Sequence, residues 1–175
     1  TQGSGKTALA FHNVRYLRDY FQRQDKVAKF YFVVDRLDLL TQASEEFAAR
    51  GLHVEKVNSK EDFIKNIKTI GTSNNSGEDS ITVVNIQKFT EESVARKSDY
   101  DVDVQRIYFL DEAHRSYKPK GSFLANLMAS DRDAVMIALT GTPLIGDGYN
   151  TKDVFGEYIH KYYYNRSIAD GYTLK

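Results

Sequence analysis

The chain opens TQGSGKTALAFHNVRYL (Thr1–Leu17), two glycines and a lysine followed at once by a helical apolar pattern. Ala10, Val14, Leu17 and Phe21 fall at three- and four-residue steps, the spacing of one buried helical stripe. Gly3 and Gly5 let backbone N–H groups turn inward around a phosphate, with Ser4 between them, and the helix that follows presents its positive end to the same anion. In such a loop Lys6 reaches the β and γ phosphates of ATP and the Thr7 hydroxyl ligates Mg2+. The strict pattern G-x-x-x-x-G-K-[ST] needs a glycine one residue before Thr1, so the stretch alone also admits a plain helix start capped near Ser4. What the rest of the chain places beside it decides between the two.

Outward from this loop, short apolar runs alternate with longer amphipathic ones, the pattern of parallel strands joined by crossover helices. KFYFVVD (Lys29–Asp35) is apolar on both sides and so belongs inside a sheet covered on both faces. A helix is expected from about Asp38 to Arg50, stopped by Gly51. HVEKV (His53–Val57) reads as a short strand, and the segment after Ser59 as a helix with Phe63, Ile64 and Ile67 inward. GTSNNSGEDS (Gly71–Ser80) is a surface loop by its turn residues. Three more strands are expected within Ser80–Phe89, Arg106–Ser116 and Ala134–Pro143, each ending in chemistry-bearing residues. In open α/β sheets ligands bind beyond the carboxyl ends of the strands, where those residues fall. The stretch from Gly156 to Lys175, rich in tyrosine, reads as an exit strand or linker.

Composition limits the reading. The 175 residues are one ordinary domain, and 41% apolar residues with 12 Tyr and 10 Phe exclude a disordered tail. Basic and acidic residues balance at 24 each, so a polyanion would have to be gripped by local patches. No cysteine is present, which removes disulfides and thiolate chemistry and fits a reducing, cytoplasmic setting. No apolar run approaches the roughly 18 residues of a membrane span, so no membrane role is expected.

A phosphate loop requires an acidic partner, because Mg2+ bridging the β and γ phosphates needs a carboxylate opposite the loop threonine. IYFLDEAH (Ile107–His114) supplies it: four apolar residues of strand, then Asp111 to hold the metal and Glu112 to deprotonate the attacking water. Two adjacent carboxylates at a buried strand end repel each other, and a nearby metal is the simplest compensation. A solvated helix start is the plainer reading of the same pair. His114 is compatible with a surface residue, a core hydrogen-bonder or a catalytic group, and position alone does not choose among them.

GSGKT, DEAH and LTGTP (Leu139–Pro143), in this order on successive strand ends, resemble motifs I, II and III of superfamily-two helicases and translocases. VVDRLDLLTQ (Val33–Gln42), NIQKF (Asn85–Phe89) and DEAHRS narrow the resemblance to the motor of the type I restriction enzyme R subunit, over nearly the whole chain. The resemblance implies a RecA-like P-loop α/β domain, a mainly parallel sheet with helices on both faces. It implies ATP and Mg2+ as cofactors, with Gly3, Ser4, Gly5, Lys6 and Thr7 binding nucleotide, Thr7 and Asp111 on the metal, and Lys6, Glu112 and His114 catalytic. Thr140, Gly141 and Thr142 match the element that couples nucleotide state to domain movement, with His114 as a contact. Asp35, Arg36 and Gln42, and later Gln87 and Lys88, match motifs that face the nucleic-acid backbone, although an ordinary strand-to-helix turn would also explain them. Asn85 stands where threonine is frequent in that family and Asp38 where glutamate is.

The implied activity is that of an ATP-dependent duplex DNA translocase within a type I restriction-modification enzyme. Its implied partners are duplex DNA, a second RecA-like domain of the same parent chain, and modification and specificity subunits. The expected division is a first motor domain over 1–160 and an exit segment over 161–175, with the strand before the phosphate loop, the second motor domain and the nuclease outside these residues. Another superfamily-two motor, an RNA or DNA helicase or a remodeller-like enzyme, is the neighbouring reading. A non-motor ATP-binding switch is the reading from another class, and Arg36, Gln87 and Lys88 alongside LTGTP stand against it.

Overall fold

The computed structural model describes residues 5–69, 79–87, 89, 100–112, 123–141, 143 and 151–171. In chain order the elements are α1 (Lys6–Gln22), β1 (Val27–Val34), α2 (Leu37–Ala49), β2 (His53–Val57), α3 (Lys60–Lys68) and β3 (Ser80–Asn85). They continue with β4 (Val104–Asp111), α4 (Phe123–Ser130), β5 (Val135–Leu139), α5 (Thr151–Phe155) and α6 (Tyr164–Ala169). The strands form one sheet in the order β2-β3-β1-β4-β5, every pairing parallel.

The unbroken apolar run of β1 has its cause in that order. β1 is central, paired to β3 with Val34 opposite Asn85 and to β4 with Phe32 opposite Phe109. Phe30, Phe32 and Val34 join a core with Val14 and Phe21 of α1 and Leu40 and Phe47 of α2. Tyr31 and Val33 join a second core with Phe63 and Ile67 of α3 and Phe123, Leu124 and Leu127 of α4. The period-two alternation of a strand thus feeds two helical layers, one on each face. Each large side chain fully withdrawn from water, such as Phe32, Phe47 or Phe63, contributes about 1.5–3 kcal/mol. β5, at the other edge from β2, is only half-covered from Val135 to Ala138, and a cavity of about 530 Å3 runs beside it, between Leu9 and Asn13 of α1 and the segment from Phe155 to Tyr163.

Local chemistry sets the ends of the elements. Gly51, at φ +86°, takes the left-handed position beyond α2, and Ser59 caps α3 by accepting from the Asp62 N–H at 3.1 Å. β3 is shorter than the span Ser80–Phe89 expected from the sequence: it ends at Asn85, whose side-chain oxygen accepts from the Gln87 N–H at 3.1 Å. That local bond gives the Gln87 N–H a partner within its own turn. The tyrosine-rich C-terminal stretch carries the short helix α6 and not a strand. The Gly71–Ser80 loop, apart from Asp79 and Ser80, lies outside the described residues.

A buried ion pair locks the sheet to α4, and nothing in the sequence advertised it. Arg106 of β4 donates to both carboxylate oxygens of Asp131, at 2.6 and 3.0 Å, and the Tyr108 hydroxyl donates to the same group at 3.2 Å. Arg106 and Asp131 are each 3% exposed. Although burial works against the charge, the Asp131 carboxylate holds the Arg106 guanidinium above its usual range. Removing one partner leaves the other charge uncompensated in the interior. Asp131→Ala is therefore expected to cost about 3–5 kcal/mol of stability, read as a lower urea midpoint. A loss below about 1 kcal/mol would mean that water reaches Arg106.

Candidate active site

Because the strands are parallel, all their carboxyl ends lie along one edge, where Asn85 and Asp111 end their strands and Asn58, Asp35 and Thr140 follow theirs. α1 packs on β1 and β4, which brings its first turn to the same edge. Gly5 caps α1 at φ +79°, a backbone conformation that costs a residue bearing a Cβ about 1–2 kcal/mol, and its carbonyl accepts the first helical bond from Leu9 at 2.8 Å. Lys6 is thereby the first helical residue, and its side chain crosses to the end of β4.

There Lys6 Nζ donates to Glu112 Oε1 and lies 2.9 Å from Asp111 Oδ1. The three side chains are 19%, 21% and 14% exposed, so the ion pairs are largely shielded from water. Burial opposes the Lys6 ammonium, but Glu112 and then Asp111 outweigh it and raise its pKa above the ordinary lysine value. The repulsion expected between adjacent carboxylates is thus met by the loop lysine.

Glu112 sits at φ +48°, one of two described non-glycine residues in the left-handed region. This turn ends β4, and the Glu112 N–H donates to the Leu139 carbonyl at 2.9 Å, tying it to the end of β5. The strained backbone costs about 1–2 kcal/mol and is held by that cross-strand bond. Its carboxylate points back over the site, where Thr140 Oγ1 lies 3.5 Å from Glu112 Oε2 as a weak donor. Thr140, the residue matched to the coupling motif, therefore touches the proposed base directly.

The donors present suit a hard cation. Asp111 Oδ1 is buried, and the Lys6 ammonium 2.9 Å away is the cation that compensates it. Were Lys6 to turn to a phosphate, that oxygen would need another cation in its place. Thr7 stands next to Lys6 in the first turn of α1, half-buried. Among the described residues no group of three or more acidic or imidazole ligands gathers anywhere. Mg2+ takes one or two carboxylates and otherwise phosphate and water, so Asp111 with the Thr7 hydroxyl would fit it.

Along the same edge, Asp35 and Arg36 follow β1 and Gln87 follows β3, brought side by side by the Val34–Asn85 register and by the Ile86 N–H donating to the Val34 carbonyl at 2.9 Å. Arg36 and Gln87 are exposed, as is Gln42 on α2, and Arg36 Nε is 3.8 Å from Asp38 Oδ1. Gly141 is exposed beside Thr140. Gly3, Ser4, Lys88, His114 and Thr142 lie outside the described residues. Sequence reasoning missed the Asn58–Asn85 pair on this edge, for asparagines at strand ends carry no motif.

A family model described as SWI2/SNF2 ATPase matches residues 1–175. The chain is 30% identical over 184 residues to the type I restriction enzyme SsaAORF53P endonuclease subunit of Staphylococcus saprophyticus, covering 99% of this chain and 18% of that one. It is 31% identical over 191 residues to the type I restriction enzyme EcoKI endonuclease subunit of Escherichia coli, covering 98% and 15%. Among solved structures it resembles a nuclease-deletion mutant of the Type ISP restriction-modification enzyme LlaGI, in complex with a DNA substrate mimic, at a TM-score of 0.57 and 15% identity. That match covers 97% of this chain and 18% of the other, and is a likeness of fold, the RecA-like α/β domain. The chain spans less than a fifth of these proteins. With its phosphate-loop lysine set on the paired acids of β4 and a family model matching from end to end, the chain belongs to the SWI2/SNF2 ATPase family, whose ATPase domain implies that it binds nucleotide.

Proposed function

We propose that this chain is the ATP-hydrolysing lobe of a duplex DNA translocase in a type I restriction enzyme. The observation that carries the reading is the convergence of Lys6, Asp111, Glu112 and Thr140 on the carboxyl edge of the sheet, beside exposed Arg36 and Gln87. The restriction endonuclease subunits among its relatives supply the biological setting.

In this mechanism the backbone after Gly3 and the positive end of α1 cradle the phosphates, and Lys6 leaves the carboxylates to pair with the β and γ oxygens. Thr7 and Asp111 would hold Mg2+, which when bound would neutralise charge developing on the transferring phosphoryl group. Glu112, released from Lys6, accepts the proton of the attacking water, and Thr140 keeps its carboxylate aimed. Because Thr140 follows β5 and Glu112 follows β4, a change at the γ-phosphate passes directly into the loop after β5. Gly141 and Thr142 carry it to a second RecA-like domain of the parent chain, which closes over the phosphates and supplies an arginine. Arg36, Gln42, Gln87 and Lys88 hold the DNA backbone without reading bases, as a motor that steps over any sequence requires.

The test is steady-state ATP hydrolysis by the full-length protein with Mg2+ and with duplex DNA, single-stranded DNA or RNA added in turn. Stimulation by duplex DNA is expected. Preferential stimulation by RNA would replace the restriction motor with a helicase, and indifference to all three would replace it with a nucleotide switch.

A further inference from the structure

We propose that Asn58 is a positioning residue for polynucleotide engagement, acting through Asn85 to hold the Gln87 turn. The inference rests on the reading above, in which the turn after β3 faces a nucleic-acid backbone.

Asn85 closes β3 at 3% exposure, opposite Val34 of the central strand. Its two amide atoms are both committed. Oδ1 accepts from the Gln87 N–H at 3.1 Å, and Nδ2 donates to Asn58 Oδ1 at 3.0 Å. The Gln87 N–H is a backbone donor and fixes Oδ1 of Asn85 towards it, which turns Nδ2 to Asn58. Asn58 Oδ1 accepts from that second amide atom and so holds the Asn85 side chain in the position from which it binds Gln87.

Asn58 is itself well anchored. It follows Val57, which is in register with Val84 on β3, and it precedes Ser59, whose side chain caps α3. A residue clamped between a strand ladder and a capped helix has little freedom, which is the support a contact residue on a turn needs. The Asn58 side chain thus adds the rigidity of β2 and α3 to a turn already tied to β1 by the Ile86 N–H on the Val34 carbonyl, with Gln87 exposed.

The test measures ATP hydrolysis by the full-length protein against duplex DNA concentration for wild type, Asn58→Ala, Asn85→Ala and the double variant, with thermal melts to verify folding. Asn58→Ala is expected to raise the half-stimulating DNA concentration roughly threefold to tenfold at an unaltered saturating rate, the size of one lost hydrogen bond. It should not change the slope of log affinity against log salt, whereas Arg36→Ala should make that slope shallower by about one, because only Arg36 neutralises a phosphate. In the Asn85→Ala background the Asn58 change should have no further effect. Independent, multiplying effects would overturn the proposal, as would an unchanged half-stimulating concentration in Asn58→Ala while Arg36→Ala and Gln87→Ala weaken stimulation. Absence of stimulation in the wild type would instead bring down the DNA-motor reading and this inference with it.

Discussion

Replacing Glu112 with glutamine in the full-length protein is expected to lower ATP turnover by about 10^2- to 10^4-fold while nucleotide binding is retained. The amide keeps the shape and the left-handed backbone of Glu112, so the comparison isolates its charge and basicity. The ion pair sharpens the expectation. Lys6 donates to Glu112 Oε1, and ATP must compete with that carboxylate for the ammonium. Neutralising Glu112 removes the competitor, so ATP affinity should stay level or rise, measured with a fluorescent nucleotide in a single-turnover format. Loss of binding together with turnover would place the water-activating group elsewhere and leave Glu112 as a structural partner of Lys6 alone.

Lys6→Ala is the second large effect, expected to abolish turnover and weaken nucleotide binding together. The substitution removes the cation that reaches the β and γ phosphates, a loss on the order of 10^2-fold or more in rate. It also leaves Asp111 and Glu112 adjacent with no described cation between them, and two close carboxylates resist both being ionised. The raised pKa of Lys6 carries a sign. Its stabilising ion pairs are fully present below the ordinary lysine value of 10.5 and are lost as pH rises from there through the higher folded value. Turnover of the wild type should therefore show no loss up to about pH 9 that traces to this lysine, and a pH profile with a Lys6-dependent fall near pH 8 would contradict the geometry. Wild-type-like hydrolysis by Lys6→Ala would defeat the phosphate-loop assignment altogether.

Much of the fold could be read from periodicity. The stripe of Ala10, Val14, Leu17 and Phe21 lies on the core side of α1, and the unbroken run of β1 marks the centre of the sheet. HVEKV is a strand over its full length, and Phe63 and Ile67 turn inward from α3. These readings succeed because each depends on neighbours within two turns or one strand. The helix Phe123–Ser130 was not foreseen, since FLANLMAS is apolar on most sides and shows little contrast between a wet and a dry face. The early stop of β3 was missed because an asparagine that ends a ladder resembles one that continues it until its hydrogen bonds are seen.

For the site, the sequence alone named the candidate residues: glycine and lysine before a helix, paired acids after an apolar run, threonine and glycine after another. Their types and local surroundings are written in contiguous residues. Tertiary structure alone decided what they do to one another. It set Lys6 on both acids across 106 positions of chain, hung Glu112 from the Leu139 carbonyl, laid Thr140 against its carboxylate, and linked Asn58 through Asn85 to Gln87. It also buried Arg106 against Asp131, 25 residues away. Apart from the local Asn85–Gln87 bond, these contacts join segments far apart in the chain, and their register follows from the order β2-β3-β1-β4-β5, which no local pattern encodes. Strand order is decided by how two apolar faces are best covered at once, and that is a property of the whole packed chain.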